Sequence, residues 1–252
     1  MQYFFYILLG LLPSLIWLSF YLKKDKHPES NSMVLRIFIW GMLLAPLAII
    51  FELILIWLLN PNSNPLNLLS QTYQASFIKI ILAATLIPAL VEEYLKYSIV
   101  KYRFLKKSEF DEPVDVMLYC IIAGLGFAAI ENLLILFKIS FPDLERAFAT
   151  IGFRFLGATL VHALASGIVG YWLAQGLLHI KKRKKLILTG LTIAIVFHSC
   201  YNYIIITILN QRTYNEKLFF VSVIAVLLIS TIFLVSYYFK KLKQQQSICK
   251  IN

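Results

Sequence analysis

Residues 114–137 read VDVMLYCIIAGLGFAAIENLLILF, a run that is apolar almost throughout and contains no proline. About 20 predominantly apolar residues are enough for an α-helix to cross the roughly 30 Å hydrocarbon core of a bilayer. The run is too long for a strand, and its apolar residues do not alternate with polar ones. Because a helix also satisfies its own backbone hydrogen bonds in lipid, this stretch predicts a membrane-spanning helix.

Further apolar stretches of similar length lie on both sides of this run. The predicted spans cover residues 1–22, 33–59, 75–100, 114–137, 150–178, 186–209 and 218–239. Their connections are short and carry Pro, Asn, Asp, Lys and Arg. The sequence therefore predicts an all-α fold, a polytopic transmembrane bundle of about seven spans. We expect residues 1–239 to form a single domain and residues 240–252 to form a basic cytoplasmic tail.

The composition excludes an ordinary water-soluble domain. Of the 252 residues, 60% are hydrophobic and only 15% are charged, whereas soluble domains usually carry about 25% charged residues. The net charge of +11 raises the question of a nucleic-acid partner. The basic residues, however, lie between the apolar runs and not on one continuous face. The sequence therefore predicts the lipid bilayer as a partner and no nucleic acid.

The basic residues also predict an orientation, because Lys and Arg are enriched in cytoplasmic loops. Alternate connections, including the C-terminal tail, hold seventeen Lys and Arg on one side and four on the other. The densest group is KKRKK at residues 181–185. This alternation favours seven spans, with the N-terminus outside and the C-terminus in the cytoplasm.

Ionisable side chains within the spans are the second informative feature. Each costs roughly 2.5–3.5 kcal/mol at the centre of a spanning helix, so such residues are functional candidates. Four successive spans carry them, together with two asparagines: Glu92, Glu93, Lys96, Glu131, Asn132, Arg154, His162, His198 and Asn202. An isolated Glu52 in the second span has no partner that can be named from the sequence, and we interpret it as structural.

Helical spacing groups these polar residues into stripes. Glu92 and Lys96 are four residues apart and share a helix face, as do His198 and Asn202. Four neighbouring spans thus each present a polar stripe. The arrangement that exposes least charge to lipid turns all four stripes toward a common, partly hydrated cavity.

Carboxylates and imidazoles in such a cavity suit a divalent metal. Catalytic zinc sites use three protein ligands of this kind and a water, and the metal lowers the pKa of that water toward 7. A further carboxylate would take the proton from the water and pass it to the leaving amine. A metal-free site is the alternative, because two adjacent glutamates in low dielectric repel and one could remain protonated as an acid.

Each of these elements also has a structural interpretation. Glu92 and Lys96 could form only an ion pair, and a histidine in a span could form only a hydrogen bond between helices. Glu131 and Asn132 could bridge helices, and Arg154 could merely neutralise a glutamate. The combination in four successive spans favours a functional site.

Several sequence motifs narrow the choice of chemistry. GLGFA contains G-x-G but lacks the third glycine and a preceding strand, so we reject a dinucleotide site and expect Gly124 and Gly126 to allow close helix packing. The sequence contains no HExxH, GxSG or GxGD motif of other membrane proteases. A protease of this composition would use glutamates and histidines.

The ordered motifs resemble the PrsW family of bacterial membrane proteases, which is distantly similar to the CAAX prenyl endopeptidases and the bacteriocin-processing (ABI) proteins. The resemblance covers nearly the whole chain. Its matching segments are Trp17, Asp25, HPE at 27–29, EExxK at 92–96, DEPVDVMLY at 111–119, GFAAIEN at 126–132, Arg154, HALASG at 162–167 and HSCYN at 198–202. One departure is Val116, where the family pattern has glycine; we expect this position to serve packing.

The resemblance implies an intramembrane endopeptidase of the bacterial plasma membrane. It implies catalytic roles for Glu92, Glu93, Lys96, Arg154 and Asn202, without deciding which of the paired glutamates is the base. It implies metal ligation by Glu131, His162 and His198, and the donor types favour zinc as the divalent metal. Named members make the first cut in an anti-sigma factor, so the implied partner is a membrane-anchored protein substrate.

Two other functions fit the same polar residues. The first is an inert relative that binds membrane partners and keeps the polar set to retain a structural metal. The second is a cation or proton transporter, since buried charges also serve pumps. Transporters often contain inverted repeats and broken helices, and the sequence shows neither.

Overall fold

A computed structural model describes residues 2–25, 29–59, 81–105, 112–211 and 213–245, and within them the chain is helical and contains no strand. The main helices are α1 (Gln2–Leu22), α2 (Asn31–Leu59), α3 (Ile87–Ile99), α4 (Pro113–Ile135), α5 (Leu144–Leu156), α6 (Ala158–Leu178), α7 (Arg183–Asn210) and α8 (Tyr214–Lys243). Short π-helical turns flank α3 at Ile81–Leu86 and Val100–Phe104, another follows α4 at Leu136–Ser140, and a 3₁₀ turn, Ile180–Lys182, precedes α7.

Six helical stretches in the described part of the chain are long and apolar enough to cross a membrane. They are Tyr3–Leu22, Asn31–Leu59, Pro113–Lys138, Leu144–Leu178, Ile180–Asn210 and Tyr214–Lys243. The predicted all-α transmembrane bundle is therefore confirmed.

The predicted third span, residues 75–100, lies only partly within the described residues. Residues 75–80 of that span lie outside the described residues, and the remainder belongs to a helical run from Ile81 to Phe104. This run carries five charged residues, so its apolarity alone does not mark it as a span. The total of seven spans and the orientation of the termini remain predictions.

Two predicted boundaries differ from the structure. The predicted span 150–178 is not one helix, because the chain turns at Gly157 (φ −105°, ψ −102°) between α5 and α6. Helix α8 continues to Lys243, beyond the predicted end of the last span at residue 239. Its last turn carries Lys240, Lys241 and Lys243, which interact favourably with the negative end of the helix dipole.

Helix α4 lies at the centre of the bundle, packed between α2 and α6, and nearly every side chain from Pro113 to Ala129 is buried. Glycines make this packing possible. A Cβ on Gly126 would strike the backbone carbonyl of Phe38 in α2, and one on Gly124 would lie 2.8 Å from the backbone oxygen of His162 in α6. The packing role expected for these two glycines is confirmed. Val116 is fully buried in the same core.

Contacts between helix ends show which connections share a side of the bundle. Tyr21 stacks on Phe239 with ring centroids 5.9 Å apart, and the Lys243 ammonium donates to the backbone oxygen of Lys24. The ends of α1 and α8 therefore lie together. At the opposite side, the Tyr6 hydroxyl donates to the backbone oxygen of Ser140 after α4.

Candidate active site

Helix α3 presents three charged side chains to the interior of the bundle. Pro88 in the first turn is compatible with the helix because the amide hydrogens there have no partner within the helix. Lys96 Nζ donates to Glu92 Oε2 at 3.2 Å and to Glu93 Oε1 at 2.9 Å. The helix face predicted for Glu92 and Lys96 is therefore present, and Glu93 joins it through its i,i+3 spacing.

The Lys96 ammonium lies deep in the protein. Its side chain is 2% exposed, and its Nζ atom stands 4.2 Å from the ring centroid of Phe127 in α4. Nζ also lies 2.7 Å from His162 Nδ1 in α6, so that nitrogen accepts the hydrogen bond. Three polar partners and an aromatic face thus replace the water that a buried ammonium has lost.

Two histidines from different helices complete the centre of the site. His198 Nδ1 in α7 lies 3.0 Å from Glu93 Oε1, and the rings of His162 and His198 meet edge to face with centroids 5.1 Å apart. Glu92, Glu93, His162 and His198 are all buried, and each offers one ligand atom within 4.8 Å of the others. We call these four residues the Glu/His cluster.

Glu131 lies behind His162, outside the Glu/His cluster. Its Oε2 atom is 2.7 Å from His162 Nε2 and accepts a hydrogen bond of the same length from Arg154 Nη2. The two ring nitrogens of His162 therefore have different partners. Nδ1 faces Lys96 and the Glu/His cluster, and Nε2 faces Glu131. Of the three residues predicted as metal ligands, the structure groups His162 and His198 and gives Glu131 an ion pair with Arg154.

A chain of hydrogen bonds holds Arg154 in this position. Its Nε donates to Asn132 Oδ1 at 2.6 Å, and Asn132 Nδ2 donates to Thr159 Oγ1 at 3.1 Å. Asn132 and Thr159 are fully buried. Asn132 thus connects α4, α5 and α6, which agrees with the bridging role that the sequence left open. Thr159 was not predicted, because an isolated threonine in an apolar span carries no recognisable signal.

Asn202 and Glu52 are not joined to these residues by hydrogen bonds. Asn202 is half-buried one turn after His198, and among the described residues it forms no hydrogen bond. The catalytic role implied for it stays a prediction. Glu52 is half-buried in α2, outside the Glu/His cluster.

Glu29, the last residue of the HPE segment at 27–29, forms a contact separate from the Glu/His cluster. The Tyr119 hydroxyl donates to Glu29 Oε1 at 2.7 Å, which ties the start of α2 to α4. His27 and Pro28 lie outside the described residues.

The donors of the Glu/His cluster fit a divalent metal. Carboxylate oxygen and imidazole nitrogen are zinc ligands, and Glu93 Oε2 is buried without a hydrogen-bond partner in the described part of the chain. Lys96 Nζ contacts three members of the cluster, Glu92, Glu93 and His162. A metal ion and the ammonium therefore compete for the same donors.

Comparisons with known proteins agree with this site. Residues 29–233 match the PrsW family of intramembrane metalloproteases. The chain is 31% identical over 196 residues to a protease PrsW of Oceanobacillus iheyensis, covering 78% of this chain and 80% of that protein. It is 30% identical over 199 residues to a protease PrsW of Geobacillus kaustophilus, covering 78% of each, and 28% identical over 207 residues to the protease PrsW of Bacillus subtilis, covering 81% and 84%.

No solved structure matches the chain. The family match extends over most of the sequence, from the start of α2 into α8, and includes every member of the Glu/His cluster. The chain therefore belongs to the PrsW family of intramembrane metalloproteases and is a membrane-embedded peptidase.

Proposed function

We propose that this protein hydrolyses a peptide bond in a membrane-anchored protein, such as an anti-sigma factor, at the Glu/His cluster. The observation that carries the proposal is the convergence of two carboxylates and two imidazoles from α3, α6 and α7 within 4.8 Å, in the buried interior of a helical bundle. Charged groups are costly in that environment, and their convergence in one place indicates a reaction centre. The bacterial plasma membrane is the proposed location.

We assign the metal-holding role to Glu93, His162 and His198, with zinc as the proposed ion. When bound there, the ion would supply a polarised, acidic water and a Lewis acid for the peptide carbonyl. Glu131 takes a different role from the one the family resemblance implied. A carboxylate on the second nitrogen of a ligating histidine fixes its tautomer and orientation, and Glu131 Oε2 lies 2.7 Å from His162 Nε2.

Glu92 is the proposed general base. Its side chain is 9% exposed, whereas that of Glu93 is fully enclosed and tied to both Lys96 and His198. Glu92 is therefore the member of the pair that a water and a substrate can reach. Its carboxylate takes a proton from the attacking water and returns it to the leaving amine. Lys96 holds both carboxylates in place, and Arg154 holds Glu131.

The proposal is tested by N-terminal proteomics on membranes from cells that express the wild type, Glu92→Gln or Glu145→Gln. Glu145 is an exposed glutamate in α5, far from the cluster in sequence, and serves as the matched control. We expect new N-termini in membrane-anchored proteins with the wild type and with Glu145→Gln, and their loss with Glu92→Gln. Identical N-termini with all three proteins would refute the assignment of Glu92.

Metal analysis tests the ligand set separately. We expect about one zinc per purified wild-type chain, a similar content in Glu92→Gln, and loss of zinc in His162→Ala and His198→Ala. Cleavage by a preparation without metal would leave the glutamates as the reaction centre and exclude the zinc assignment.

A further inference from the structure

A cavity of about 330 Å³ lies between α1 and α8, on the side of the bundle where these two helices end together. Its walls are almost entirely apolar and include Ile16, Phe20, Phe155, Leu160, Val235 and Phe239. This volume is at the lower end of the range for small-molecule sites. The cavity is too small in volume to hold a helix, whose diameter with side chains is about 10–12 Å.

Lysines stand at one end of this cavity. Lys24 lines it, and its ammonium lies 4.7 Å from the ring centroid of Phe20. The ammonium group of Lys243 in α8 donates to the backbone oxygen of Lys24. Partial burial and the nearby Lys243 charge lower the pKa of Lys24, which lies after the end of α1. Among the described residues, Lys24 forms no ion pair, and Lys243 brings a second positive charge to this end of the cavity through its contact with the Lys24 backbone.

From this arrangement we propose that the cavity binds one acyl chain of an anionic phospholipid, with the phosphate of the headgroup at Lys24 and Lys243. An apolar slot favours hydrocarbon, and a negative phosphate offsets the repulsion between the two ammonium groups. Basic pockets between transmembrane helices recognise anionic headgroups by this combination of charge and apolar surface. The proposal does not depend on the peptidase mechanism.

The location gives such a lipid a structural role. Trp17 lines the cavity and donates from Nε1 to the backbone oxygen of Phe155 at 2.9 Å. Phe155 follows Arg154 directly, and it stacks on Trp17 with ring centroids 5.5 Å apart. A bound chain therefore packs against Phe155, the residue next to Arg154 of the Arg154–Glu131 pair.

Native mass spectrometry of the full-length protein in detergent tests the headgroup contact. The probes are phosphatidylglycerol and phosphatidylcholine with the same acyl chains. The variant Lys24→Gln/Lys243→Gln is compared with Lys181→Gln/Lys184→Gln, which removes two exposed lysines elsewhere. We expect retention of phosphatidylglycerol to fall roughly fivefold per lysine in the first variant and to stay unchanged in the second. Equal retention of both lipids by the wild type would overturn the proposal.

A second pair of variants tests the cavity itself without changing charge. Ser236→Phe fills the cavity from α8, and Ser230→Phe adds the same ring at an exposed position of α8 that does not line it. We expect only Ser236→Phe to reduce retention of phosphatidylglycerol. Unchanged retention would mean that the lysines attract lipid at the surface and would overturn the acyl-chain assignment. A photo-crosslinker at position 236 that captures protein in place of lipid would also overturn it.

Discussion

Lys96 is the residue on which the electrostatics of the site depend. It is enclosed by protein, and its ammonium contacts Glu92, Glu93 and His162. Removing one partner of a buried ion pair leaves an uncompensated charge, and this usually costs about 3–5 kcal/mol. These three side chains could also bind a metal ion. When no metal is bound, the Lys96 ammonium is the cation that compensates the two carboxylates.

The variant Lys96→Met should therefore be less stable than the wild type but more responsive to zinc. We expect a loss of about 3–5 kcal/mol in the free energy of unfolding in detergent without added metal. At a single zinc concentration, about 100 times the dissociation constant of the variant, zinc should return roughly 2.7 kcal/mol to Lys96→Met and less to the wild type, in which the ammonium competes for the same donors. The measurement is thermal unfolding with and without zinc, and Lys138→Met, an exposed lysine after α4, is the control. A zinc response no larger than that of the wild type would contradict the shared-donor interpretation.

The Arg154–Glu131 pair should also contribute to the stability of the bundle. Arg154 donates to both Glu131 and Asn132, so Arg154→Met should cost about 1.5–3 kcal/mol, the usual value of charged hydrogen bonds. In a double-mutant cycle with Glu131→Leu, the two losses should not add, and the coupling should lie between 0.5 and 3 kcal/mol. Chemical unfolding provides the measurement. Strict additivity, or an equal loss in the exposed control Arg146→Met, would argue against the pair.

The sequence predicted which residues are polar, but it did not predict all of their pairings. The i,i+4 spacing on α3 correctly joined Glu92 to Lys96, because both lie on one helix. The pairing of His198 with Glu93, and of Glu131 with His162 and Arg154, depends on how α3 to α7 are rotated about their axes. Helical spacing within one span carries no information about that rotation.

At the scale of elements, glycine sets the distance between α4 and its neighbours. A Cβ on Gly126 would meet backbone atoms of Phe38 and Met42, which belong to α2 and cannot rotate away as a side chain can. Gly152 on α5, by contrast, has open space around the position of a Cβ. The two glycines therefore form a matched pair of sites for the same substitution.

Gly126→Ala should destabilise the bundle by about 1–3 kcal/mol, because α2 and α4 must move apart. Gly152→Ala should be neutral or stabilising by up to about 1 kcal/mol, since alanine is the better helix former. Thermal unfolding of both variants in the same detergent checks this prediction. Equal changes in stability for Gly126→Ala and Gly152→Ala would contradict the prediction. They would mean that the close approach of α2 and α4 does not exclude a larger side chain at position 126.

The break between α5 and α6 could not be predicted from local composition. Residues 150–178 are apolar enough for one continuous span, and Gly157 is one of five glycines in this run, each of which is compatible with a spanning helix. In the structure a Cβ on Gly157 would strike the hydroxyl of Tyr201 in α7. The turn is therefore linked to a contact with a helix far away in the sequence, which local composition does not reveal.

Contacts between helix ends divide the connections between two sides of the bundle. Gln175 near the end of α6 donates to Gln245 after α8, and Lys243 contacts Lys24, so the basic segments after α1, α6 and α8 lie together. The turn after α4 lies at the opposite side with Tyr6. For these four connections the division agrees with the predicted alternation of basic and less basic connections, whereas the number of spans and the orientation stay predictions.

The basic side should face the cytoplasm, because Lys and Arg beside a span are retained there during insertion. In a background with Cys120, Cys200 and Cys249 replaced by serine, single cysteines at positions 145 and 184 report on the two sides. A membrane-impermeant maleimide should label Glu145→Cys in intact cells and Lys184→Cys only after the cells are opened. Labelling of Lys184→Cys but not Glu145→Cys in intact cells would show that the orientation is the reverse of the predicted one. Labelling of both in intact cells would be incompatible with the two-sided arrangement of these connections, and would require a different path of the chain through the bilayer.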